Sequence, residues 1–171
     1  MMFKPFKIGD IIKFHDGNFI GTVKDISLRH TVIQTLENTN LIIPNSQINK
    51  AILENISRTG EVYKANFLTI GISYESDLDL AMKIIEEEVC KHKNFVDGRT
   101  EEQKQNNVPI VTTRLTSFGD SSMNLKTTVY SLDHGSGVSM LSDLRISIKK
   151  RFDKEGIEIP YPHRTITYKK D

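Results

Sequence analysis

Apolar and polar positions alternate in short runs through the first third of the chain and change to a helical spacing further on. The run Ile11-Ile12-Lys13-Phe14, introduced by Gly9-Asp10 and ended by Asp16-Gly17-Asn18, predicts a short strand. Residues 19–26 predict a second. A third is Thr31-Val32-Ile33-Gln34-Thr35-Leu36, rich in β-branched side chains, and the polar residues 37–40 turn the chain into a fourth, Leu41-Ile42-Ile43. Short strands at this spacing predict a small β-barrel over residues 1–60. Pro44 has no N–H to give a ladder and ends the fourth strand. Asn45 after it takes a left-handed backbone or bonds its own main chain. Residues 46–51 predict a short helix, with Ile48, Ile52 and Ile56 closing the barrel.

A second pattern occupies residues 61–162. Phe67-Leu68-Thr69-Ile70-Gly71-Ile72-Ser73-Tyr74 alternates, with Leu68, Ile70 and Ile72 on one face of a strand. Ser76 then predicts an N-cap, with Asp77 and Asp79 at the positive end of a helix that runs to about Lys93. Leu78, Met82, Ile85 and Val89 form its apolar stripe. Residues 94–108 are polar and predict a surface loop. Residues 109–118 and 122–132 predict a hairpin across Gly119-Asp120. After His134-Gly135-Ser136-Gly137, read as a flexible connection, a second helix carries Leu141, Leu144, Ile148 and Phe152 and stops at Gly156. Strand, helix, strand, strand, helix, with Ile157-Glu158-Ile159 available as a further strand, predicts a ferredoxin-like α/β sandwich. The fold class is therefore β plus α+β.

Residues 163–171 follow the breaker Pro160-Tyr161-Pro162 and alternate once more. Thr165, Thr167 and Lys169 share one face, and Ile166 and Tyr168 share the other. A lone strand at a chain end leaves its hydrogen bonds unpaired, which predicts pairing with other copies of itself.

Composition narrows the function classes. At 37% hydrophobic and 26% charged the chain is globular, and 23 basic against 22 acidic residues give no global field toward phosphate backbones. No nucleic-acid partner is expected. One cysteine, Cys90, excludes an intrachain disulfide and fits a reducing, cytoplasmic setting. A membrane-spanning helix needs about 20 predominantly apolar residues, and the apolar runs are far shorter, so a soluble chain is expected. Residues 1–5 lack the apolar core of a signal peptide.

Candidate chemistry is sparse. The five histidines, His15, His30, His92, His134 and His163, lie on separate elements, none four apart on one helix, so neither metal nor cofactor is expected. Glu86-Glu87-Glu88 points in different directions around a helix and reads as a solvated face. Cys90 reads as a small core or edge residue. Ser121 and Ser122 lie outside any nucleophile-elbow context, and His134-Gly135-Ser136-Gly137 lacks a P-loop lysine. No catalytic residue is assigned. Gly21 is expected to serve the backbone, through a bend or a close approach. Arg29, bracketed by apolar positions, presents a planar fork suited to a carboxylate or a carbonyl.

Several motifs in order resemble the mechanosensitive channel family of the small-conductance (MscS) type. They are Pro5-Phe6 with Gly9-Asp10; Gly21, Val23 and Ile26; Arg29 with Thr31; Ile42-Ile43-Pro44-Asn45; and Asn55-Ile56-Ser57-Arg58. Tyr74 with Ser76-Asp77, Gly119-Asp120-Ser121-Ser122, and Gly156-Ile157 with Ile159-Pro160-Tyr161-Pro162 continue the resemblance through the second half. The polar loop is longer than in simple members. The transmembrane helices and the Gly/Ala-rich pore helix of the family are missing from this sequence.

The resemblance implies an Sm-like β-domain beneath a membrane, an α/β domain forming the wall of a heptameric cage, and final strands closing a parallel intersubunit barrel. In the intact channel, tension would release ions and small osmolytes. The motif residues would be Gly9, Asp10, Gly21, Thr31, Pro44 and Asn45, with Arg29 at a contact between subunits or with a membrane-side loop. Residues 165–169 would line or face the barrel bore. A soluble Sm-like oligomer binding RNA and a small-molecule-sensing α/β regulator remain the alternatives.

Overall fold

The computed structural model describes residues 5–15, 19–57, 63–162, 164 and 166. It divides into two compact units, Met1–Glu61 and Val62–Asp171.

The first unit holds β1 (Ile11–Phe14), β2 (Phe19–Ile26), β3 (His30–Thr35), β4 (Asn40–Pro44), the short helix α1 (Asn45–Ile48) and β5 (Leu53–Asn55). The strands form one antiparallel sheet in the order β4-β3-β2-β1-β5. Period-2 alternation puts Ile12, Phe14, Val23 and Ile33 on its inner face, where they pack with Phe6 and Ile48. An irregularity between Val23 and Asp25 in the β2–β3 register bends β2.

The isoleucine series does not hold as one packing face. Ile48 and Ile56 are buried, but Ile52 is 66% exposed. The helix ends at Ile48 and the chain enters β5 at Leu53, so helical spacing no longer applies at Ile52. The three-residue strand β5 is too short to carry a periodic signal of its own. Asn45 is not left-handed either, because it opens α1.

The second unit holds β6 (Lys64–Ile72), α2 (Leu78–Lys91), α3 (Glu101–Gln105), β7 (Thr113–Phe118), β8 (Met123–Ser131) and α4 (His134–Glu155). Its antiparallel sheet runs β6-β8-β7. One face, carrying Leu68, Ile72, Leu125 and Val129, is covered by Ile84, Ile85 and Val89 of α2 and by Met140, Leu144, Ile148 and Phe152 of α4. This apolar layer is the core of the unit.

Local hydrogen bonds explain where the elements depart from expectation. Asp77, not Ser76, caps α2: its carboxylate accepts from Leu80 N at 3.0 Å, while the Ser76 hydroxyl accepts from Glu158 N at 2.9 Å. The segment His134-Gly135-Ser136-Gly137 is the first turn of α4, not a loose connection. Asp133 accepts from Ser136 N, and the Ser136 hydroxyl accepts from Asp133 N, a reciprocal cap. The polar stretch 94–108 contains α3, closed by a similar box between Thr100 and Gln103. At the other end Gly156, at φ 77°, terminates α4. Residues Ile157-Glu158-Ile159 form no strand: Ser73 N donates to Glu158 O at 2.8 Å, and Ile157 is buried in the core.

The expected terminal strand falls largely outside the described residues. Of Thr165, Ile166, Thr167, Tyr168 and Lys169 only Ile166 is described, and it is exposed.

Candidate functional site

The motif residues Gly9, Asp10, Thr31 and Asn45 of the first unit gather into two hydrogen-bonded knots. At the start of the sheet, Gly9 takes φ 94°, a conformation that suits a residue without Cβ. Its N–H donates to Val23 O at 2.8 Å, and Val23 N donates back to Asp10 O at 2.9 Å. The Asp10 side chain is buried and accepts from Lys7 N at 3.0 Å and from Asn55 Nδ2 at 2.8 Å. Ile11 N donates to the Ser57 hydroxyl at 2.7 Å. Entry and exit of the unit are thereby tied to one buried carboxylate.

The second knot holds the β2–β3 turn. Asn45 Nδ2 donates to Ser27 O and Leu28 O, each at 3.1 Å, and Asn45 N donates to Arg29 O at 2.9 Å. Asn45 Oδ1 in turn accepts from the buried Thr31 hydroxyl at 2.9 Å. Ser27 closes the turn, its hydroxyl donating to His30 O at 2.8 Å. All three carbonyls of residues 27–29 are engaged by one residue, so the turn is pinned. Its side chains are not. Leu28 is 89% exposed and Arg29 is exposed, with no hydrogen bond or ion pair engaging the Arg29 guanidinium among the described residues. A rigid backbone thus displays an apolar side chain and a cation.

Gly21 lies where β2 passes closest to β3. A Cβ there would stand 2.5 Å from Ile33 Cγ2 and 2.7 Å from Gln34 O. Pro44 is the last residue of β4 and is paired with His30. The strand it ends is exposed except at Ile43, which packs against the core, and Ile42 is 67% exposed.

Two family models match these units in order. The model for the mechanosensitive ion channel β-domain covers residues 1–58, and that for the C-terminal part of the mechanosensitive ion channel MscS covers residues 68–159. The chain belongs to the MscS family of mechanosensitive ion channels. Among curated relatives of this MscS-family chain, the large-conductance mechanosensitive channel MscMJLR of Methanocaldococcus jannaschii is 30% identical over 98% of this chain and 45% of its own length. The small-conductance mechanosensitive channel of Edwardsiella ictaluri is 24% identical over 97% of this chain and 53% of its own. The chain therefore spans about half the length of these relatives. In fold it is similar to the closed-state crystal structure of Helicobacter pylori MscS, with a TM-score of 0.80 at 23% identity, covering 98% of this chain and 60% of that one.

Among the described residues of this MscS-family chain no helix is long and apolar enough to cross a membrane. Sequence reasoning singled out Gly9, Asp10, Arg29, Thr31, Asn45 and Asn55 but missed Lys7, Ser27 and the connections among them. Ser27 gave no motif signal of its own. Its place two residues before Arg29, in a turn between β-branched runs, is the cue that a hydroxyl would serve there.

Proposed function

We propose that this chain is the vestibule part of a channel that opens under membrane tension and passes ions and small osmolytes. What carries the reading is the match of both family models, in order, over residues 1–58 and 68–159. In this reading the chain is non-enzymatic, lies on the cytoplasmic side, and continues into transmembrane helices of the same parent protein. Assembly is as a heptamer.

The β4 strand supports self-association. It forms one end of its sheet and leaves Leu41 and Ile42 exposed, one on each face. An exposed apolar edge of this kind is ordinarily covered by another chain, and a second copy supplies a strand of matching chemistry. The Leu28–Arg29 tip then serves as a contact between subunits or with a membrane-side loop. Gly9, Asp10, Gly21, Thr31, Pro44 and Asn45 hold the frame that presents it. Residues 165–169 close the far end as a parallel barrel, which removes strand edges.

The test is electrical. The full parent protein is placed in membrane patches lacking tension-gated current, and suction is applied. A current that appears only under suction is expected. Protein present in the patch without such a current overturns the reading.

A further inference from the structure

We propose that the sheet face of the second unit turned away from α2 and α4 binds a small phosphate monoester. Strand alternation puts Phe67, Arg114, Lys126 and Tyr130 on this face, opposite the buried Leu68, Leu125 and Val129. These residues line a concavity of about 420 Å³ walled on one side by residues 98–110.

The wall is built rigidly. Arg99 donates to Asp97 Oδ1 through Nε at 2.9 Å, to Asp97 Oδ2 through Nη2 at 2.9 Å, and to Val108 O through Nη1 at 2.8 Å. One guanidinium thus clips the two ends of the loop together. Val96 N donates to Tyr130 O at 3.0 Å, fixing the loop to β8. A Cβ on Gly98 would stand 2.5 Å from the Tyr130 ring, so the backbone lies flat upon it.

The floor is electrostatically incomplete. Arg114 and Lys126 are direct cross-strand partners in the β7–β8 ladder. Like charges at directly opposed positions repel. Arg99 directs an N–H from each of its three nitrogens to Asp97 or Val108, and the Asp97 carboxylate offsets its charge. No carboxylate lines the concavity among the described residues. Lys126 Nζ sits 4.0 Å from the centre of the Phe67 ring, which fixes it over the floor without neutralising it.

The ligand class follows from charge and size. Two adjacent uncompensated cations match a dianion, which a phosphate monoester supplies through one group and a carboxylate group, with a single charge, does not. The cavity is larger than one phosphate needs, and Val108, Pro109 and Ile110 offer an apolar wall to an organic remainder. This binding concerns the second unit alone and is measured apart from any channel current.

The experiment is calorimetric titration of the 171-residue chain with AMP, inorganic phosphate and glutamate at constant ionic strength, paired with thermal melts. Saturable AMP binding that raises the melting temperature is expected. Phosphate should bind more weakly, and glutamate should not saturate. Arg114→Ala and Lys126→Ala, both at exposed positions, should each weaken AMP by about tenfold or more, with Lys126→Arg restoring it. Arg145→Ala on α4 should change nothing. Four results overturn the proposal: no AMP binding, binding in both alanine variants as tight as in the wild type, phosphate as tight as AMP, or glutamate as tight as AMP. A fall in oligomer mass on Arg114→Ala with no AMP effect overturns it too, marking the face as a surface between copies.

Discussion

The Thr31 hydroxyl, buried on β3, donates to Asn45 Oδ1 at 2.9 Å and so fixes the rotamer from which the Asn45 amide reaches the β2–β3 turn. The two substitutions that cut this link should differ in cost. Asn45→Ala strands a buried hydroxyl and releases the carbonyls of Ser27 and Leu28, while the backbone bond to Arg29 O stays, a loss of about 1–3 kcal/mol. Thr31→Val removes the donor while nearly keeping shape, and should cost about 1 kcal/mol. Urea unfolding of the chain checks the order, and amide exchange at residues 28–30 should rise in both variants.

Gly21 predicts a steric effect of a different kind. Its Cβ would meet Ile33 Cγ2 at 2.5 Å and the Gln34 carbonyl at 2.7 Å, and the carbonyl belongs to a paired strand that cannot rotate away. Gly21→Ala should therefore destabilise the first unit by about 1–3 kcal/mol, the usual penalty of overpacking. A melting temperature equal to that of the wild type would show that β2 and β3 can separate there at no cost.

The elements that the sequence announces are those whose signal is periodic. Residues 11–14 alternate cleanly, and Leu144, Ile148 and Phe152 keep helical spacing, so this strand and this helix stand where pattern places them. Caps carry no such period. Ser76 and Asp77 are both good N-caps, and the choice between them depends on Glu158, which is far away in sequence and recruits the Ser76 hydroxyl. The same holds for the candidate sites. Arg29 stands out as a cation between apolar neighbours, whereas the pairing of Arg114 with Lys126 depends on a register that a bulge after Leu115 helps to set.

Acid should loosen the second unit. Hydrogen bonds from the Arg99 side chain and then its backbone hold the Asp97 carboxyl at about 2, below its ordinary 3.8. A carboxylate lowered on folding contributes stability above its unfolded value and loses it as pH falls through the folded one. For Asp97 the window is therefore from about 3.8 down to about 2. Glu88 shifts the same way from 4.5: burial pushes it up, but hydrogen bonds from Arg151, Lys91 and Ser147 together outweigh that. The melting temperature should fall across this range. Asp97→Asn should flatten the lower part of the curve and speed amide exchange in residues 97–108; an unchanged profile would mean the Arg99 clip carries no stability.

Assembly and tip function can be separated by two exposed positions of the first unit. Arg29 is exposed and unengaged among the described residues, so Arg29→Ala should leave the stability of the isolated chain within about 0.5 kcal/mol. Ile42→Lys, on the end strand β4, should be similarly mild for folding, yet a charge there opposes the addition of another strand. In the full parent protein, light scattering should show a smaller oligomer for Ile42→Lys. Patch recordings of Arg29→Ala should show a shifted opening tension, or scattering a changed mass, according to whether the guanidinium meets a membrane-side loop or a neighbouring subunit. If mass and opening tension both match the wild type, Arg29 is a solvated surface residue, and the pinned turn beneath it is a feature of folding alone.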